Sequence, residues 1–186
     1  MTIIGITGTI GAGKGTVVDY LRTKGFTHYS ARDFIVREIE RRGLPVDRDT
    51  MVSVANDLRT AHSPSYIIAS LYDEAVKNGG NAVIESIRTE GEVQALRQKG
   101  NFHLFAIDAD PKLRYERIVL RGSATDKISL NKFLADEARE MHASDPNKQN
   151  LARCIELADE RIVNDGSVEA LHTRIDEIIG HIMASS

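Results

Sequence analysis

The chain has 186 residues, 41% hydrophobic and 27% charged, which suits one domain large enough for a proper core. Twenty-four basic and 27 acidic residues leave a net charge of −3. That balance excludes a bulk attraction to nucleic acid or anionic lipid, so any anion must be bound locally. The single Cys154 rules out an internal disulfide and suits a reducing compartment. No apolar run approaches the ~18 residues needed to span a bilayer, and the expected location is the cytoplasm.

In chain order, TIIGIT (2–7) is a β-branched run ending at glycine and is predicted as a buried parallel strand. Residues 14–24 place Val17, Val18 and Leu21 at helical spacing before the stop signal Gly25. FTHYS (26–30) is a second strand, and 31–43 a helix with Phe34, Ile35 and Ile39 on one side. A turn at Leu44-Pro45 leads to a helix over 50–60, and Ser63-Pro64 to one reaching about Asn78. NAVIES (81–86) and FHLFAID (102–108) are strands, each followed by a helix, over 90–100 and 111–121. GSATDKIS (122–129) is small and polar and predicts a mobile loop. Helices over 130–143 and 149–158, a strand over 161–165 and a helix over 167–183 complete the chain. Five strands alternating with helices predict a three-layer α/β/α fold around a five-stranded parallel sheet.

The chemistry begins at GTIGAGKGT (8–16). Amide N–H groups of a glycine-rich turn, aimed at the mouth of a helix, bind phosphate through their dipoles and the helix macrodipole. Gly8, Gly11, Ala12, Gly13, Lys14, Gly15 and Thr16 form that loop, with strand before and helix after. Lys14 is placed to hold the β- and γ-phosphates of ATP. Gly15 stands where many phosphate loops carry a hydroxyl, so Thr16, directly or through water, is the residue expected to serve Mg²⁺. Glu85, at the end of a core strand, is the expected acid orienting metal-bound water.

Gly-Lys-Gly-Thr resembles the adenylate-kinase group of P-loop proteins, and further segments extend the likeness. YSARDFIVR (29–37) resembles that group's S-T-G-D-x-x-R, with Ser30, Asp33 and Arg37 in place but Ala31 and Arg32 departing from it. VIESIRTEGEVQAL (83–96) resembles its D-G-F-P-R-T-x-x-Q, shortened by one residue and with Glu85 for the Asp. RYERIVLRG (114–122) is similar to the helix leading into a lid, and ADERIVNDGSVEAL (158–171) to the strand and loop bordering adenine. The whole pattern is most similar to a mainly archaeal group related to adenylate kinase and dephospho-CoA kinase, which shares I-x-x-I-R, a short lid and IVN-(D/E)-G-(S/T). The resemblance implies a single kinase domain over 1–186, acceptor-binding helices over about 31–78 and a lid over about 121–145. It implies nucleotide substrates, ATP with Mg²⁺, and an adenine border at Asn164, Gly166 and Ser167.

On the acceptor side, Ser30, Asp33, Arg37 and Arg88 are the expected binding set, the two arginines clamping a monophosphate in bidentate fashion. Arg37 also fits a solvated charged helix face. Arg117 and Arg121 share a helix face and, with Arg139, are candidates to face the transferred phosphate from a lid. If the acceptor is a hydroxyl, as in dephospho-CoA kinase, a base is needed, and Asp33 is the candidate. A non-catalytic nucleotide-binding regulatory module is the rival from another class. The GTPase version is disfavoured, because NKQN (147–150) lacks the Asp of N-K-x-D. The six histidines show no metal-ligand spacing, so zinc is not expected. No nucleic-acid or membrane partner is expected, and the oligomeric state is left open.

Overall fold

The computed structural model describes residues 1–122, 129–142, 144–145 and 148–184. Five strands form one all-parallel sheet: β1 (Ile3–Gly8), β2 (Thr27–Ser30), β3 (Ala82–Glu85), β4 (Phe102–Asp108) and β5 (Glu160–Val163). Their order is β2-β3-β1-β4-β5, so β1 lies at the centre. Ile6 pairs with Glu85 and Ser30 with Glu85, while Asp108 pairs with Val163. The C-terminal strand ends therefore bring Gly8, Ser30, Glu85 and Asp108 to one edge, where ligands bind in sheets of this kind.

Nine helices are present among the described residues: α1 (Lys14–Thr23), α2 (Ala31–Arg41), α3 (Arg48–Ala61), α4 (Tyr66–Asn78), α5 (Glu90–Lys99), α6 (Pro111–Arg121), α7 (Leu130–Met141), α8 (Leu151–Glu156) and α9 (Val168–Ala184). The side-chain period of two sends β1 to both faces. Ile4 and Ile6 join Val17, Leu21, Ile175 and Ile178 of α1 and α9 in one core. Ile3 joins Ile39, Leu58, Leu71, Val93 and Cys154 of α2, α3, α4, α5 and α8 in the other. Each such aliphatic side chain contributes about 1.5–3 kcal/mol on burial, which holds the central strand, and the loop after it, in a rigid frame. No described helix is long and apolar enough to cross a membrane.

Two boundaries differ from expectation for local reasons. α4 begins at Tyr66 rather than at Ser63-Pro64, because the Tyr66 amide closes a turn on the Ser63 carbonyl at 3.1 Å. α8 is shortened to six residues: Asn150 is its cap, accepting from Arg153 N at 3.2 Å, and the Asn150 amide donates to the Arg88 carbonyl at 2.8 Å. The interior of the predicted mobile loop, 123–128, and position 143 of the expected lid lie outside the described residues. The rest of the expected lid, 121–122, 129–142 and 144–145, is described and is built mainly from α7.

Candidate active site

Between β1 and α1 the chain turns through Gly11 at φ +79° and Gly13 at φ +93°. Both angles lie in the left-handed region that favours glycine. Space demands glycine there too, since a Cβ on Gly11 would meet the Arg114 carbonyl oxygen at 2.5 Å. Gly13 caps α1 without a side-chain bond, leaving the first amides of that helix for a ligand.

Other elements brace this loop from behind. Thr9 Oγ1 donates to Asp108 Oδ1 at 2.6 Å, tying it to the end of β4. Asn164, after β5, is buried and donates from Nδ2 to the Ala12 carbonyl at 2.9 Å. Arg114, only 2% exposed, donates to the Ile10 and Ala109 carbonyls and forms a bidentate pair with Glu137 of α7 at 2.8 and 2.9 Å. Arg117 Nη2 donates to the Asn164 carbonyl at 2.8 Å. Its Nη1 is buried without a hydrogen-bond partner among the described residues.

Lys14 opens α1 and folds its ammonium back onto the loop, donating to the Gly8 and Thr9 carbonyls at 3.0 and 2.7 Å. Burial pushes its pKa down to about 7, and the Arg88 guanidinium adds to that fall, while Glu140 and Glu85 oppose it. A lysine in this state gains from any anion placed beside it. Glu85 lies where β3 ends, accepting from Ser30 Oγ at 3.2 Å, with His28 Nε2 at 3.6 Å. His28 leads in holding this carboxyl below its ordinary value, and Ser30 and Lys14 act in the same direction against the cost of burial. Ser86 follows with φ +68°, a left-handed non-glycine residue at the turn that leads to Arg88.

Arg88 donates from Nη1 to Glu140 Oε2 at 3.0 Å and to Gln149 Oε1 at 2.9 Å. Its backbone amide rests on Glu92 Oε2 at 2.7 Å. Glu92 is fully buried, closes a capping box with Thr89 and accepts Arg59 of α3 at 3.2 and 3.3 Å. The turn carrying Arg88 is thus held by a buried acid.

The remaining candidates are placed as follows. Thr16 is partly buried in the first turn of α1, and Gly15 beside it is exposed with open space around its Cβ position. Asp33 is exposed, its amide donating to the capping Ser30 Oγ. Arg37 is exposed too, its guanidinium carbon 5.9 Å from the Phe34 ring centre. Arg121 is exposed. Arg139 pairs with Asp136 at 3.3 Å and lines a cavity of about 540 Å³ between α3 and the α7–α8 segment. Ser167 stands just before α9, accepting the Ala170 amide at 3.2 Å, with Gly166 exposed before it.

The sequence model of an AAA domain matches residues 4–145. A UPF0200 protein of Pyrobaculum aerophilum is 32% identical over 96% of this chain and 97% of its own length. The chain belongs to the UPF0200 family, within the class the AAA-domain model describes.

Among solved structures, a Thermus thermophilus protein superposes with a TM-score of 0.63 at 21% identity, covering 97% of both chains. A dephospho-CoA kinase from Campylobacter jejuni does so with a TM-score of 0.54 at 18% identity, again over 97% of both. The fold of this UPF0200 chain is therefore that of P-loop kinases, as the adenylate-kinase likeness implied. Site residues that sequence reasoning missed are Arg48, Glu92, Asp108, Arg114, Glu137 and Glu140. Arg114 had a signal, standing three and seven positions before Arg117 and Arg121 on one helix face. Glu92 had one as well, three residues after Thr89 in capping-box spacing. Glu140 had none, because its partners lie 52 and 92 residues away.

Proposed function

We propose that this protein transfers the γ-phosphoryl group of ATP to a nucleoside monophosphate or a closely related nucleotide. The observation that carries the reading is Lys14, held at the mouth of α1 on two loop carbonyls, with Arg88 and Glu85 near enough to move its pKa. Phosphoryl transfer asks the protein chiefly to align two phosphates and neutralise the charge that spreads between them. Loop amides from Gly11 to Thr16 would cradle the donor phosphates, and the Lys14 ammonium would exchange its carbonyls for the β- and γ-oxygens. An ionised carboxylate at Glu85 and a hydroxyl at Thr16 fit a hard cation that keeps part of its water shell, so these two residues would hold Mg²⁺. When bound, that ion supplies further charge neutralisation on the same oxygens.

Arg88 would bind the acceptor's phosphate, with Ser30, Asp33 and Arg37 completing the acceptor side. A phosphate acceptor is already an anion, so no general base is required. Arg117 acts as a positioning residue through Asn164, whose amide supports the loop and whose neighbours Gly166 and Ser167 would border adenine. Arg121 and Arg139 would add positive charge over the transferred group.

The test is ADP release measured by a coupled assay over a panel of nucleoside monophosphates and dephospho-CoA. An acceptor that raises the rate above background ATP hydrolysis supports the reading, and a panel with no such acceptor ends it. Lys14→Ala is expected to reduce turnover to background. Arg88→Ala is expected to raise KM for the acceptor with little change in KM for ATP, and equal losses for both would remove Arg88 from the acceptor side.

A further inference from the structure

Arg48, the first residue of α3, and Arg88, beyond the end of β3, direct their guanidinium groups at one carboxylate. Arg48 Nη2 donates to Glu140 Oε1 at 2.7 Å, and Arg88 Nη1 to Glu140 Oε2 at 3.0 Å. Each oxygen of Glu140 takes one arginine, so the carboxylate bridges two planar forks. The bridge is well shielded, with side-chain exposures of 25% for each arginine and 10% for Glu140. Glu140 and Gln149, the other acceptor of Arg88, line the cavity of about 540 Å³ together with Val52 and Asn56 of α3. Glu140 and Arg88 also act on the Lys14 charge, which places the bridge beside the phosphate loop.

Two convergent, three-quarters buried arginines behind a carboxylate that lines this cavity match a phosphate monoester better than they match a lone carboxylate. A phosphate dianion brings a second negative charge and a third acceptor oxygen. The element that supplies Glu140 is itself uneasy. Asp136, one turn earlier on α7, is buried, stands 3.7 Å from Arg48 and has an Oδ2 without a hydrogen-bond partner among the described residues. Like charges four apart on a helix repel. Here they are offset by Lys132 at 3.1 Å and Arg139 at 3.3 Å as well as by Arg48.

We propose that Arg48 and Arg88 together form the acceptor's anion site, that its ligand is a phosphate monoester dianion, and that Glu140 fills the site until the acceptor displaces it. The acceptor role rests on the kinase reading, but the anion site does not depend on turnover. Arg48 then becomes an acceptor-binding residue, and the Glu140 side chain gives up its two arginine contacts when the acceptor binds.

Inorganic phosphate titrated by calorimetry into the full chain at pH 8 tests this. Glu140→Gln keeps the side-chain shape and removes the competing charge, so phosphate should bind about tenfold more tightly than to the wild type. Adding Arg48→Ala to that variant should abolish the gain, whereas phosphate held by the glycine-rich loop does not depend on Arg48. No gain in Glu140→Gln, or a gain that survives Arg48→Ala, overturns the proposal. Should Glu140→Gln fail to fold, Glu140→Asp, too short to reach both arginines, should show a smaller gain with the same dependence on Arg48, and its absence overturns the proposal equally. ADP release separates the two readings. An Arg48-dependent gain without any phosphorylated acceptor leaves the site standing and removes the kinase, and turnover without the gain does the reverse.

Discussion

Binding of a non-hydrolysable ATP analogue with Mg²⁺ should draw protons from the buffer, through Lys14. Burial, with Arg88 next, pushes this lysine down to about 7 from its ordinary 10.5. At pH 8 roughly nine-tenths of it is then neutral in the free protein. Among the donor phosphates the ammonium regains opposite charge, and its pKa climbs back toward the ordinary value. The sign follows from linkage: the bound state holds more protons than the free state between the two pKa values, so affinity is complete below pH 7 and declines above it. Uptake should be about 0.9 proton per site at pH 8 and about 0.1 at pH 6. Affinity should fall about tenfold from pH 8 to pH 9. Calorimetry in two buffers of different ionisation enthalpy reads the proton count directly. Uptake near zero at pH 8, or the same uptake in Lys14→Met, refutes the assignment of the charge to this side chain.

Gly11→Ala and Gly15→Ala should behave oppositely. The first sets a Cβ against the Arg114 carbonyl oxygen at a residue with φ +79°, and should cost about 2 kcal/mol or more and lose nucleotide binding. The second enters open space on α1 and should leave the melting temperature within about 2 °C. Equal melting shifts for the two would contradict this account of the loop. Arg59→Met should cost about 3 kcal/mol in denaturant titration, because it leaves the fully buried Glu92 without its cation. Since Glu92 also carries the Arg88 amide, the same variant should raise KM for the acceptor more than KM for ATP, and a stability loss without that split would confine Glu92 to structure.

Features that local pattern encodes are readable in the sequence, and those that chain-distant charges encode are not. The strand, glycine turn and helix over 2–24 depend on neighbours in sequence, so the loop, Lys14 and the strand-end residues Ser30 and Glu85 follow from the residue pattern alone. The partner of Arg88 across Glu140 does not, because two residues on separate elements share a carboxylate only if the helices between them pack accordingly. Here Arg37 stands over Phe34, and the arginine that meets Arg88 across one carboxylate is Arg48. In the run ADEARE (135–140) the acids look like an ordinary solvated helix face, since charge alternation on a helix usually means water. Asp136 and Glu140 are buried instead because α3 and the turn after β3 bring three elements' charges into one shielded place. Burying a carboxylate between two arginines contributes little net stability, as desolvation offsets most of the attraction. A bridge that adds little to the fold yet orders three segments is what the proposed anion site requires of Glu140: a carboxylate that holds both arginines in place and can leave them at little cost in stability.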